Sequence, residues 1–196
     1  SNQESYPDGT RYIPGAGFHT DHSNDIMPPK ATVLLAIRLP NKGGDTQFVN
    51  MHAAYEGLAS ETKKRLSDLR AIHVYQSTHS QRKLMDLSKD NPRVVPKSAV
   101  HPLVRVHPET GKKSLYINPI RIQSIIGMSE HEGIVLLNDL LEHATQKKFQ
   151  YRHQWQLNDM VLWDNRCLLH KANGDYDRAQ ERFLYRVMLQ GDKQGH

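Results

Sequence analysis

The sequence predicts a mainly β fold with flanking helices, a sandwich or barrel that carries its helices on the outside. Short strand-like runs dominate the chain, only two segments have helical spacing of apolar residues, and strands do not alternate with helices. A parallel α/β sheet needs such alternation, so a sandwich or barrel is favoured. With 196 residues and no internal repeat or linker, the chain is expected to form one domain over residues 1–196.

The strand predictions rest on short apolar runs bounded by turn-forming residues. The longest run covers residues 31–39 and lies between two prolines before it and Pro40 after it. A continuous apolar run of this kind is typical of a buried strand. Further strands are predicted at residues 103–107, 114–118, 159–164 and 183–190, with a hairpin turn at residues 109–112 between the first two of these.

Two segments predict helices that pack against the strands. Residues 53–69 place apolar side chains at helical spacing and keep the basic residues 63–65 outside, which is typical of an amphipathic helix. The second helix is predicted to begin at a capping box formed by Ser129 and Glu132, and its apolar pattern continues to Leu141. We expect both helices to be packing elements.

Composition excludes several classes of protein. Cys167 is the only cysteine, so one chain forms neither an internal disulfide nor a multi-cysteine metal site, and a bound metal needs histidine and carboxylate ligands. The net charge of +5 is spread among acidic neighbours, so no nucleic-acid partner is expected. No apolar run approaches the ~20 residues of a membrane helix, and the first residues lack a signal-peptide pattern. We expect a cytoplasmic protein without a membrane partner, and homo-oligomerisation is left open.

His19 and Asp21 form the first part of a candidate metal site. In an extended segment, residues two apart point to the same face with Cα atoms about 7 Å apart, so both side chains can reach one ion. His170 is the candidate third ligand because it follows a strand-like segment directly, where a turn would aim it back into the fold. Two histidines and one carboxylate on one face of an ion leave open positions, which favours a non-haem Fe(II) site over a closed zinc site.

Two arginines follow at a spacing that suits anion binding. Arg182 and Arg186 are four residues apart in a strand-like run, so their guanidinium groups are expected to share one face. An inward-facing arginine is costly unless it meets an anion, and its planar fork matches a carboxylate in bidentate fashion. A diacid cosubstrate would supply such an anion.

The chain resembles the taurine dioxygenase and 2,4-dichlorophenoxyacetate dioxygenase family of 2-oxoglutarate enzymes. The resemblance covers nearly the whole chain, and its motifs occur in the order of the family. The matching stretches are GFHTD at 17–21, GGDT at 43–46, AAYEGL at 53–58, HPLVR at 101–105 with HP at 107–108, WDNR at 163–166, HKANGDY at 170–176, and residues 182–192.

This resemblance implies both the fold and the roles of individual residues. The family fold is a double-stranded β-helix, or jelly roll, with helices outside. His19, Asp21 and His170 match the Fe(II) ligands. Arg182 and Thr46 match the residues that bind the far carboxylate of 2-oxoglutarate, the cosubstrate that reacts with O₂. Arg186 matches a position that holds an anionic group of the prime substrate.

The chain also departs from the family pattern. Gly15 stands where the taurine enzyme has an amide side chain, and Arg121 falls on an aromatic pocket position. These departures disfavour taurine and make Arg121 a second candidate for substrate binding. The family has a substantial segment before the His-x-Asp motif, whereas eighteen residues precede His19 here. The domain is therefore expected to lack the usual N-terminal segment.

The predicted activity is hydroxylation of a small anionic organic substrate with release of succinate and CO₂. A carboxylate is the first choice for the substrate, and a sulfonate stays open. Halogenating relatives lack the carboxylate ligand, so Asp21 disfavours that branch. The alternative function is a non-catalytic jelly-roll protein that binds a metal or a small anion as a sensor.

Overall fold

The computed structural model describes residues 15–75, 77–79 and 97–191, together with the backbone of two short strands before residue 15. The strands are β1 (Glu4–Ser5), β2 (Arg11–Tyr12), β3 (Ala31–Arg38), β4 (Thr46–Asn50), β5 (Arg70–Val74), β6 (Ser98–Pro102), β7 (Val104–Val106), β8 (Lys113–Leu115), β9 (Ile122–Ile125), β10 (Gln150–His153), β11 (Met160–Asp164), β12 (Leu168–Ala172) and β13 (Phe183–Leu189). The helices are α1 (Met51–Glu56), α2 (Ser60–Leu66) and α3 (Glu130–Ala144), with a 3₁₀ turn at Lys147–Phe149.

Two antiparallel three-stranded sheets form the centre of the fold. Their strand orders are β11-β3-β13 and β10-β4-β12. Aromatic rings from the two sheets meet between them, since the ring centroids of Trp163 in β11 and His170 in β12 are 4.6 Å apart. Phe48 in β4 adds a ring 5.4 Å from Trp163. The prediction of a mainly β sandwich or barrel is therefore confirmed.

The predicted strands are present, and the structure contains further strands that the sequence pattern did not predict. The predicted ranges 31–39, 103–107, 114–118, 159–164 and 183–190 overlap β3, β7, β8, β11 and β13 in turn, although β8 ends at Leu115. Strand β7 pairs with β8 across the predicted hairpin. The described strands β4, β5, β6, β9, β10 and β12 were not predicted. Most of these are short and mix polar with apolar residues, so periodicity alone does not reveal them.

The prediction of one continuous helix over residues 53–69 is wrong. The chain forms α1, which begins after the Asn50 cap, and a separate α2. Gly57 lies between them, and a Cβ at that position would be 2.8 Å from the Phe149 ring. The close approach of Phe149 thus requires a glycine here, a contact from a distant segment that helical spacing cannot show.

The predicted capping box at the start of α3 is confirmed. The Ser129 hydroxyl accepts a hydrogen bond from the Glu132 backbone N–H, and the Glu132 carboxylate accepts one from the Ser129 N–H. The helix buries Leu136 and Leu140 against a core that also contains Val49 of β4. This core covers one face of the β10-β4-β12 sheet, and the other face of that sheet meets β11-β3-β13.

A network of ion pairs fixes the turn after β11. The Arg166 guanidinium donates to the Asp164 carboxylate at 2.6 Å and to Glu109 at 3.0 Å, and His107 Nε2 lies 3.0 Å from the same Asp164 carboxylate. Burial opposes ionisation of Asp164, but the hydrogen bonds from Arg166 and His107 lower its pKa to about 2. Two residues of the WDNR motif, Asp164 and Arg166, therefore stabilise this turn.

No helix of the described residues is long and apolar enough to cross a membrane.

We expect Asp164→Asn to lower the free energy of unfolding by about 2 kcal/mol at pH 7, since one unit of pKa shift is worth about 1.4 kcal/mol. The carboxylate stabilises the fold above its unfolded pKa of 3.8, and this contribution is lost as the pH falls towards its folded pKa of about 2. Urea unfolding of both proteins between pH 7 and pH 2 measures the difference. A difference that persists undiminished at pH 2 contradicts the prediction.

The control is Asp139→Asn, which changes an exposed aspartate of α3. We expect it to alter the free energy of unfolding by less than about 0.5 kcal/mol at pH 7.

Candidate metal and cosubstrate site

Backbone pairing brings His19 and His170 together. The N–H of His19 donates to the carbonyl of His170 at 3.0 Å, and the N–H of His170 donates back at 2.8 Å. This isolated bridge adds residue 19 to the edge of the β10-β4-β12 sheet at β12. As expected, a turn at residues 165–167 follows β11 and leads back to His170, which lies within β12, opposite Phe48 of β4.

The three predicted ligands converge on one point. Asp21 Oδ1 lies 3.8 Å from Nε2 of His19 and 3.8 Å from Nε2 of His170. His19 Nδ1 lies 2.8 Å from the carbonyl oxygen of Gly17, so it donates a proton there and leaves the Nε2 lone pair facing the carboxylate. Two imidazole nitrogens and one carboxylate oxygen thus surround a common position. This donor set fits a divalent ion with open coordination positions.

The protonation states of the triad suit metal binding. Burial lowers the pKa of the His170 imidazole to about 3, with His19 and Arg186 acting in the same direction. Burial opposes ionisation of Asp21, but the two histidines, a hydrogen bond from Thr32 and Arg186 together lower its pKa. A neutral imidazole and an ionised carboxylate are the forms that bind a metal.

Gly15 leaves room for the His19 ring. Its φ of +81° lies in the left-handed region, and a Cβ at this position would be 3.1 Å from His19 Cε1. Its carbonyl accepts a hydrogen bond from the N–H of Ala172 in β12. A side chain at this position would therefore lie in tight contact with the His19 ring.

Arg186 lies beside the triad, whereas Arg182 precedes β13 and contacts the backbone at Gly44. The Arg186 guanidinium is 3.9 Å from Asp21 Oδ1, and its side chain is 52% exposed. Arg182 donates from Nε to the carbonyl of Gly44 at 2.6 Å. Burial lowers the pKa of Arg182, against the effects of Tyr176 and Asp45. Of the two predicted arginines, Arg186 is thus the one placed next to the candidate metal position.

Thr46 faces the same side of its sheet as His170. In the β4-β12 pair, Thr46 lies opposite Ala172 and Phe48 lies opposite His170, and side chains two residues apart share a face. The Thr46 hydroxyl is buried and accepts a hydrogen bond from the Trp155 indole N–H at 3.0 Å. An indole N–H can only donate, so this contact does not use the hydroxyl proton of Thr46.

Arg121 is half-buried against Tyr75. Its guanidinium donates to the Tyr75 carbonyl at 2.6 Å and lies 4.9 Å from the centre of the Tyr75 ring. His22 was not singled out from the sequence, yet it lies near this arginine, and burial together with Arg121 lowers the pKa of its imidazole. The φ of His22 is +46°, in the left-handed region directly after Asp21. Sequence spacing gives no sign of this conformation.

A second group of potential metal ligands takes part in hydrogen bonds that stabilise the fold. His107, Asp164 and Cys167 bring ligand atoms within 4.8 Å of one another. However, His107 Nδ1 accepts backbone N–H groups of Glu109 and Thr110, while Arg166 covers Asp164. Burial raises the pKa of the Cys167 thiol to about 12, so the thiolate that a metal needs is disfavoured.

A groove of about 430 Å³ lies beside the aromatic packing of the two sheets. Its lining includes Phe48, Tyr151, Leu162 and Trp163. Phe48 and Trp163 also pack near the His170 ring, but none of the triad residues and neither Arg182 nor Arg186 lines this groove. The groove is therefore distinct from the candidate metal position.

Comparison with known protein families decides the relationship. The family model described as "Taurine catabolism dioxygenase TauD, TfdA family" matches residues 1–188. The chain belongs to the TauD/TfdA family. A curated member, the alpha-ketoglutarate-dependent 2,4-dichlorophenoxyacetate dioxygenase of Burkholderia sp. (strain RASC), is 41% identical over 175 residues, which are 89% of this chain and 58% of that protein.

Other members of the TauD/TfdA family extend the comparison. The alpha-ketoglutarate-dependent sulfonate dioxygenase of Saccharomyces cerevisiae is 33% identical over 178 residues, 90% of this chain and 42% of that protein. The crystal structure of AAD-2 in complex with Mn(II) and N-oxalylglycine superposes with a TM-score of 0.80 at 34% identity, and covers 92% of this chain and 70% of that one. The jelly roll implied by the resemblance is thus confirmed.

This chain spans only part of the length of its curated TauD/TfdA relatives. The chain covers 58% to 62% of three of them, the 2,4-dichlorophenoxyacetate and (S)-phenoxypropionate dioxygenases. The activity, substrate and partners of the whole protein are therefore inferred from the site itself.

We expect His19→Ala, Asp21→Ala and His170→Ala each to raise the dissociation constant for Fe(II) by more than about 100-fold. Each removes one of three protein donors, and changes to residues that only support metal ligands already cost 10–100-fold. Anaerobic Fe(II) titration measures the constant. His131→Ala, which changes an exposed histidine in the first turn of α3, is the control and should bind like the wild type. Retention of wild-type affinity in any of the three variants contradicts the assignment.

Proposed function

We propose that the chain is the catalytic domain of an Fe(II)- and 2-oxoglutarate-dependent dioxygenase that hydroxylates a small anionic organic substrate. The observation that carries this proposal is the convergence of two imidazole nitrogens and one carboxylate oxygen in a buried site. Three protein donors leave positions free for cosubstrate and O₂, as non-haem Fe(II) oxygenases require. The TauD/TfdA relatives, which are named as alpha-ketoglutarate-dependent dioxygenases, support it.

The protein groups hold, orient and shield the reactants. His19, Asp21 and His170 would bind Fe(II), and the bound iron with 2-oxoglutarate supplies the oxidative chemistry that consumes O₂ and releases succinate and CO₂. The aromatic rings of Phe48 and Trp163 pack near His170 and keep water from its side of the site. The chain thereby supplies ligation and orientation, while the difficult chemistry belongs to the iron and its cosubstrate.

Arg182 and Thr46 are the proposed anchor for the far carboxylate of 2-oxoglutarate. The Arg182 guanidinium is held by the Gly44 carbonyl, two residues before Thr46 in the chain. The Gly44 φ of +73° and a Cβ contact of 3.1 Å to Arg182 Cδ show how closely the arginine packs on this backbone. The Thr46 hydroxyl, fixed by Trp155, has a proton to donate. A cationic fork and a hydroxyl donor together suit a carboxylate.

Arg186 is the proposed contact for the anionic group of the prime substrate. It is half-exposed and lies 3.9 Å from Asp21 Oδ1, so an anion bound to its open side would sit next to the metal position. Named relatives act on 2,4-dichlorophenoxyacetate and on sulfonates, both of which are small organic anions. Arg121 is a second, weaker candidate because its guanidinium already contacts Tyr75. A carboxylate is the preferred substrate class, with a sulfonate as the other.

Release of succinate tests the function. The 196-residue chain is incubated with Fe(II), 2-oxoglutarate and a panel of aryloxyacetates, sulfonates and other small acids, in air and without O₂. We expect succinate to form only when both 2-oxoglutarate and O₂ are present, and one class of acid to increase the amount formed. Binding of metal and 2-oxoglutarate without succinate from any panel member would identify a sensor instead.

We expect the wild type to prefer each accepted acid over its neutral amide by at least about tenfold in kcat/KM, because a charge-assisted hydrogen bond to Arg186 is worth about 1.5–3 kcal/mol. Arg186→Met keeps a long side chain but removes the charge, and should abolish this preference. Arg38→Met, which changes a surface arginine paired with Glu181, is the matched control and should retain it. Comparable turnover of acid and amide by the wild type would refute the anionic-substrate proposal.

We expect Arg182→Ala to raise the apparent KM for 2-oxoglutarate by at least about 100-fold, and Thr46→Val to raise it by about tenfold or less. A bidentate charged contact contributes more than one hydroxyl hydrogen bond. Steady-state kinetics with varied 2-oxoglutarate measure both constants. An unchanged KM in Arg182→Ala would place the cosubstrate on another anchor.

A further inference from the structure

The two carboxylate oxygens of Asp21 have different surroundings. Oδ1 faces the two histidine nitrogens at 3.8 Å each, and the Arg186 guanidinium lies 3.9 Å from it. Oδ2 accepts a hydrogen bond from the Thr32 hydroxyl at 2.6 Å. An ionised carboxylate only accepts hydrogen bonds, so the single hydroxyl proton of Thr32 is committed to Asp21. One oxygen is thereby left for a metal and the other is held by the protein.

The hydrogen bond from Thr32 to Asp21 is the last of three consecutive side-chain hydrogen bonds. In each of the three, only one of the two residues can be the donor. The Trp163 indole N–H can only donate, and it lies 3.0 Å from the Asn165 side-chain oxygen. This contact fixes the amide so that its nitrogen donates to the Thr32 hydroxyl at 2.8 Å. The hydroxyl oxygen is then an acceptor from Asn165 and its proton points to Asp21. Reversing any member would leave a buried group facing a like group.

The sheet holds these residues in place. Thr32 of β3 lies directly opposite Trp163 of β11 in the strand register. The Asn165 N–H donates to the Lys30 carbonyl at 2.9 Å, and the Asn165 carbonyl accepts a hydrogen bond from the Thr20 hydroxyl at 2.7 Å. Thr32, Asn165 and Trp163 are only 0%, 2% and 4% exposed, so water does not compete for their hydrogen bonds.

We propose that Trp163, Asn165 and Thr32 form a hydrogen-bond relay that positions the Asp21 carboxylate so that it offers Oδ1 alone to the metal. The inference rests on the proposed function, because it assigns Asp21 as a ligand. These three are positioning residues that act through Asp21 and touch neither metal nor substrate. Outer partners of this kind set the orientation of metal ligands in other metalloproteins.

The relay has a consequence for the coordination sites. A carboxylate that turned freely could present both oxygens to an ion and take a position that cosubstrate or O₂ needs. With Oδ2 bound to Thr32, Asp21 contributes one donor and the two histidines contribute two. The relay also keeps the charge of Asp21 hydrogen-bonded inside a buried site, where an unpaired carboxylate oxygen would be costly.

Mn(II) binding tests the relay separately from turnover. Mn(II) is the ion in the AAD-2 structure, and its free form is measured by electron paramagnetic resonance during a titration. The decisive variant is Thr32→Val, which keeps the shape of the buried side chain and removes only the hydroxyl. Thr32→Ser keeps the hydroxyl and serves as the rescue. Ser114→Ala is the matched control, since it removes a fully buried hydroxyl that donates to backbone carbonyls of Arg105 and Arg166.

We expect Thr32→Val to raise the dissociation constant for Mn(II) by about tenfold or more, and Thr32→Ser and Ser114→Ala to stay within about threefold of the wild type. Thermal unfolding of the metal-free proteins shows whether the two hydroxyl deletions cost similar stability. Unchanged or tighter Mn(II) binding in Thr32→Val would overturn the relay. An equal loss of affinity in Ser114→Ala would also overturn it, because the effect would then be general destabilisation.

A second variant covers the case in which Thr32→Val does not fold. Trp163→Phe removes the indole N–H at the far end of the relay and keeps an aromatic ring, and it should weaken Mn(II) binding by about threefold to tenfold. Wild-type affinity in Trp163→Phe would overturn the relay as well. A wild type that binds Mn(II) normally but forms no succinate would refute the proposed function alone, whereas a wild type that binds no Mn(II) would refute both.

Discussion

The paired backbone hydrogen bonds between His19 and His170 are the interaction on which the site depends. They join a segment that precedes the first central strand to β12, near the end of the described chain. These main-chain hydrogen bonds hold the backbones of the two candidate ligand histidines side by side. Asp21 follows two residues later and is carried to the same position. The site therefore depends on the pairing of residue 19 with β12, two segments that are far apart in the sequence.

Burial of charge is the second constraint. Asp21 is 5% exposed, and its negative charge is stabilised by the hydrogen bond from the Thr32 hydroxyl and by the nearby Arg186 guanidinium. A divalent ion would neutralise this charge far more effectively, so its binding would stabilise the folded chain. The same low exposure makes hydrogen bonds around the carboxylate strong and their loss expensive. Stability and metal affinity are thus linked through one buried carboxylate.

The sequence was most informative where the signal was local. The capping box of Ser129 and Glu132 was found because its partners are three residues apart, and β3 was found because its apolar run is long. The prediction of a continuous helix over residues 53–69 was wrong because the chain becomes extended at Ala59, with a ψ of 148°, between α1 and α2. Strands β4 and β12 were missed because each has only five residues and mixes polar with apolar side chains on both faces, so alternation does not mark them.

By itself the sequence predicted the types and order of the candidate ligands, since His19, Asp21 and His170 follow from motif, spacing and the family resemblance, together with the absence of other cysteines. It also indicated two arginines for anions. Only the tertiary structure decided that Arg186 lies beside Asp21, that Arg121 packs on Tyr75, and that Thr32 and Asn165 support the carboxylate. The physical reason is strand register: which side chains meet across a sheet depends on pairing between distant segments, and no local pattern encodes that pairing.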